Sequence, residues 1–188
     1  MIMGLVSALM KRKSMLTSAE IELEHIAVEL RNGRGQHLRH FIDQYYCYKL
    51  DIVTRGGRAD WERLMEVGVM SKAAAVELDR KKLVKEHVVP LSFIRSRLLE
   101  LTAQGEPTHE SIAKVIDQYF VIGTITKIED AKLRSLKLHS SMPSDFKNPT
   151  SPMCGDLFSR YRAAGIDFFA LPKYSFGPVD VRWQKMMP

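Results

Sequence analysis

The sequence predicts an α+β protein: a mainly helical domain with a small β-β-α element and an irregular, proline-rich C-terminal extension. Three observations carry this reading. Helical spacing of apolar residues dominates the first eighty positions. Two β-branched runs, LVKEHVVP at 83–90 and VIGTIT at 121–126, interrupt that texture. Six of the eight prolines fall at or beyond position 143, where no long helix can run.

Taken in order, MIMGLVSALMKRK begins with an apolar run whose positive charges follow it. That order and length suit neither a secretory signal nor a bilayer span, so the segment is expected to dock as a helix. Thr17 and Glu20 have capping-box spacing, and Ile21, Ile26, Val28 and Leu30 form a stripe ending near Asn32-Gly33. A second helix is expected over QHLRHFIDQYYCYKL, with Leu38, Phe41, Ile42, Tyr45 and Tyr48 on one side, until TRGGR breaks it. ADWERLMEVG and SKAAAVELDRKKL read as two short helices separated by Gly68.

LVKEHVVP then reads as a strand closed by Pro90, and LSFIRSRLLELTAQG returns to helical spacing. Thr108 is placed to cap HESIAKVIDQYF. VIGTIT is the second strand, and Thr126 with Glu129 announces the helix KIEDAKLRSLKL. Beyond Ser140 the chain reads as an extension wrapped over the core, its aromatics arguing against free disorder, with one helix at GDLFSRYRAAG. One domain is expected over 1–188: a helical part at 1–80, a β-β-α region with a helical insertion at 81–140, and the extension at 141–188.

The 188 residues are 45% hydrophobic and 27% charged, enough for a real core. A net charge of +6 and a pI near 9.3 favour an anionic partner, nucleic acid foremost. Cys47 and Cys154 have no CxxC companion, which excludes a disulfide framework and argues against cysteine-held zinc. One Cys–Cys bridge stays open, with two reduced core thiols in a cytoplasmic protein the preferred reading. No segment suits a membrane, so no membrane partner is expected; a protein partner or homo-oligomer stays open.

The pair Glu86-His87 inside the first β-branched run is the candidate site. Adjacent strand residues point to opposite faces, so the two share a pocket only if the strand ends or bulges there, and Pro90 stands three residues on. Histidine accepts a proton near neutral pH, and a carboxylate is a hard ligand for Mg²⁺. Phosphodiester hydrolysis uses both a base for water and a cation on the phosphate. Glu129 and Asp130, in the first turn of the helix after VIGTIT, offer a second carboxylate at an end that favours anions.

A strand ending acid–His–x–x–Pro, a second strand and a helix with an acidic first turn resembles the ββα-metal core of HNH endonucleases, over about residues 86–134. The resemblance implies a metal-dependent nuclease acting on nucleic acid, DNA more than RNA, in a defence or toxin setting. It implies His87 as general base, with Glu86 and Asp130 as ligands of a divalent ion, Mg²⁺ by preference. Arg95, Arg97, Lys127 and Lys132 would then position phosphates.

Two other classes compete. Arg31-Asn32 followed by His37 resembles the motif of metal-free HEPN ribonucleases. Alternatively Arg31, Arg34, Arg39, His40, Arg55 and Arg58, with Tyr45, Tyr46 and Tyr48 nearby, outline a non-catalytic binding surface for nucleic acid or a protein.

Overall fold

In a computed structural model the described residues are 15–170, so the expected N-terminal helix and the end of the extension lie outside them. Among the described residues seven helices surround one four-stranded sheet, and the expected α+β, mainly helical class holds.

Helix α1 (Ser18–Arg31) starts at the anticipated box: Thr17 accepts from the Glu20 amide while Glu20 reaches back to the Thr17 amide. A cap of this kind contributes about 1 kcal/mol. Its buried apolar face is Leu23, Ile26, Ala27 and Leu30, at helical spacing. Ile21 and Val28, expected on that stripe, are exposed instead. Helix α2 (Leu38–Lys49) buries Leu38, Ile42, Tyr45, Tyr46 and Cys47 against α1, with Asp43 among them.

The two short helices expected at 59–83 form only in part. Residues 63–66 make a 3₁₀ turn, and Val69–Ser71 is strand β1. Gly68 allows the entry: its φ is +92°, and a Cβ there would stand 2.0 Å from the Ile122 carbonyl oxygen. Ser71 caps a short helix, α3 (Lys72–Val76), and the chain returns through a 3₁₀ turn at 80–82 to β2 (Leu83–His87). Helices α4 (Leu91–Gln104) and α5 (His109–Tyr119) are the insertion, α5 held by a Thr108–Ser111 capping box. Strand β3 (Ile122–Thr126) pairs antiparallel with β2, Glu86 opposite Gly123 and His87 opposite Ile122. Helix α6 (Lys127–Ser135) follows at the expected Thr126–Glu129 box and completes the β-β-α element.

The extension carries helix α7 (Ser159–Ala163), shorter than anticipated, and strand β4 (Phe168–Ala170). The sheet order is β2-β3-β1-β4, with β1 parallel to β3 and antiparallel to β4. Two cores flank it. One gathers α1, α2, α4 and α5 over Val89 and Ile122. The other packs Leu133, Phe158 and Tyr161 over Val69, Val88, Val121 and Ile125. Cys47 is buried as expected, whereas Cys154 is exposed because it sits in an irregular turn outside both cores.

Candidate functional site

The residues named for a metal site fall on two sides of the sheet. Strand pleating sends successive side chains to opposite faces, and β2 keeps that alternation to its last residue. His87 turns into the four-helix core, where its Nε2 donates to Asp43 Oδ1 of α2 at 2.8 Å and its ring meets Phe120 edge-on at 5.2 Å. Glu86 turns into the second core and pairs with Arg160 of α7, a side chain with no exposed surface. Asp130 joins that side but pairs with Arg134 at 3.0 Å.

Glu86 and Asp130 both act electrostatically on Tyr161 and on Arg134. Burial raises the Tyr161 phenol well above its ordinary value, and Glu86 and Asp130 push the same way against Arg160. The counter-charge of Glu86 is Arg160 and that of Asp130 is Arg134, and His87 is on the far face. Among the described residues no group of three or more His, Cys, Asp and Glu is placed to hold a metal ion. His87 thus leaves β2 on the face opposite Glu86, where the resemblance implies one shared pocket, and Glu86 and Asp130 are each engaged by an arginine.

Arg160 explains why Glu86 is held. Its Nε donates to the Val88 carbonyl (2.9 Å), and its Nη1 to the carbonyls of Leu138 (2.8 Å) and His139 (3.2 Å). Its Nη2 lies against Glu86, the His87 carbonyl and the Tyr161 hydroxyl. A buried guanidinium needs this many acceptors, because each unmatched donor would carry its desolvation cost alone.

The proposed phosphate contacts are also divided. Arg95 and Arg97 project from α4, in the helical layer, with Arg97 paired to Glu100 and Arg95 lying on Gly35. Lys127 and Lys132 project from α6, in the opposite layer, both exposed. Glu129 serves the cap: its Oε2 receives the Thr126 amide (2.8 Å), the Thr126 hydroxyl (3.0 Å) and the Ser71 hydroxyl (2.7 Å). In the HEPN-like stretch, Arg31 is committed to Glu24 and Glu106, and Asn32 bonds back to Val28. Tyr45 and Tyr46 are core residues and Arg34 pairs with Glu29, whereas Arg39, His40, Arg55 and Arg58 of the first basic cluster are exposed.

What the fold assembles around His87 is different from what the sequence suggested. Asp43 holds Nε2, which leaves Nδ1 as the lone-pair nitrogen. The His87 side chain keeps 10% of its surface exposed. Arg39, one turn before Asp43, lies 4.0 Å from its other oxygen and is largely exposed. Lys85, two residues before His87 on the same strand face, stands 5.1 Å over the Trp61 ring. Burial lowers the Lys85 pKa, partly countered by Asp43 and Cys47. His40 stacks beside Trp61 at 6.1 Å.

Asp43, Lys85 and Trp61 were not legible as site residues. The one signal was an acid at position 43 set four residues before Cys47 on an otherwise apolar helix face.

Comparison of the chain with family models, with curated proteins and with solved structures returned no match. The HNH resemblance thus rests on the residues quoted for it.

Proposed function

We propose that the protein binds single-stranded nucleic acid over α2 and β2 and cleaves its phosphodiester with the Asp43–His87 pair as base, with no ion held by Glu86 and Asp130. The observation that carries this reading is the 2.8 Å Asp43–His87 bond beneath a rim of Arg39, Lys85, His40 and Trp61. A carboxylate on one imidazole nitrogen fixes the tautomer and supports positive charge on the ring when the other nitrogen takes a proton. Cations beside it stabilise the phosphorane charge, and ring systems are suited to bases.

RNA fits this chemistry better than DNA. Its 2′-hydroxyl supplies the nucleophile: Nδ1 takes the hydroxyl proton, the 2′-oxygen bonds to phosphorus, and the 5′-oxygen leaves with a proton from the Lys85 ammonium or from water. A second reading keeps binding without cleavage. It is favoured by the 8% exposure of His87 and its packing on Phe120, which suit a clasp between α2 and β2.

Labelled single-stranded RNA and DNA, incubated with the full chain with and without EDTA, separate these readings. Cleavage of RNA that survives EDTA and is lost in His87→Gln supports the first. Salt-sensitive binding without cleavage supports the second, and EDTA-sensitive cleavage of DNA returns the metal-dependent reading.

A further inference from the structure

We propose that the end of the sheet where β1 and β3 finish docks on an anionic membrane surface. Three aliphatic side chains stand there nearly bare: Leu78 is 99% exposed, Ile128 83% and Val76 78%. The topology brings their segments to the same end of the sheet. The link from β1 to β2 must cross the end of β3, because β3 lies between them in the sheet. Val76 and Leu78 ride on that crossing, and Ile128 is the second residue of α6, which leaves β3 at the same place. The Ser71–Glu129 bond ties the start of α3 to the first turn of α6.

Exposed cations gather at the same end, with the exposed Asp79 among them capping the 80–82 turn. Arg80, Lys81 and Lys127 are exposed and have no ion-pair partner among the described residues, while Lys72 and Lys82 pair with Asp167 and Glu77. The composition favours lipid over protein. Lysine is depleted in protein interfaces but gains near anionic lipid, and this patch is lysine-rich and, among the described residues, has no exposed aromatic anchor. A side chain as bare as Leu78 projects from the surface, and a deformable hydrocarbon boundary accepts projecting tips without a matching pocket. No helix among the described residues is long and apolar enough to cross a bilayer, which bears on spanning and not on resting against one.

The test is sedimentation of the full chain with vesicles of phosphatidylcholine alone or with roughly one-third phosphatidylserine. Binding to the serine-containing vesicles is expected, falling about tenfold in Leu78→Asp and further in Arg80→Glu with Lys81→Glu. Arg55→Glu with Arg58→Glu, on the 53–59 turn outside the 72–82 and 127–128 segments, should leave it unchanged. Absence of binding overturns the proposal. So does equal loss in the Arg55/Arg58 variant, which means adsorption by net charge, or retention by polyglutamate but not vesicles, which means an acidic protein partner.

Discussion

Asp43 and His87, forty-four residues apart, meet at 2.8 Å and join the second helix to the end of an edge strand. Their side chains are 6% and 10% exposed, so removing either leaves the other in a poorly solvated place. His87→Ala should cost about 3 kcal/mol and Asp43→Asn about 1–2 kcal/mol in urea unfolding. If the proposed chemistry is right, His87→Gln also lowers cleavage by about two orders of magnitude while the fold persists. Equal cleavage by the parent and His87→Gln at matched folded fraction would sink it.

Arg160 is the second anchor. Arg160→Met strands Glu86 and several carbonyls in the second core and should destabilise by about 3–5 kcal/mol. Glu86→Gln should cost less, and the double variant should recover part of the loss. A double-mutant cycle by urea denaturation reads the coupling.

Gly68→Ala tests the entry to β1. With φ at +92° and an Ile122 oxygen 2.0 Å from the new Cβ, a loss of at least about 2 kcal/mol is expected. Gly57→Ala, with positive φ but open space, should cost less.

Lys85 predicts a pH signature. Its folded pKa lies below the unfolded one because burial disfavours the ammonium. The stability it offers is therefore present above the unfolded value and lost as pH falls through the folded one, a standing cost at neutral pH. Lys85→Met should raise the pH 7 unfolding midpoint, with the advantage gone by about pH 11.

The two thiols should separate by reactivity. Burial pushes Cys47 up to about 12, so alkylation at pH 8 should modify Cys154 and spare Cys47 until the protein unfolds. Cys47 contributes stability that is complete below the ordinary thiol range and fades as pH rises toward 12, readable as an alkaline limb absent in Cys47→Ala.

The helices with local signals were readable because their information is local: Thr17, Thr108 and Thr126 each face their own third residue. The two β-branched runs were readable for the same reason. Strands β1 and β4 were not, since three residues such as Val69–Ser71 become a strand only through neighbours on either side. The alternation of Glu86 and His87 was legible as a physical rule, and the rule held at the strand end. Their partners, Arg160 and Asp43, were not legible, because long-range pairs leave no periodic trace in the chain.

The position of Arg160 also has a consequence for biogenesis. Glu86 and the carbonyls of Val88 and Leu138 emerge from the ribosome well before the guanidinium that satisfies them, and β1 emerges well before β4 closes its open edge. The nascent chain therefore carries an unpaired acid and an open strand edge until residues 160–170 appear, and that interval is when a chaperone would be most needed.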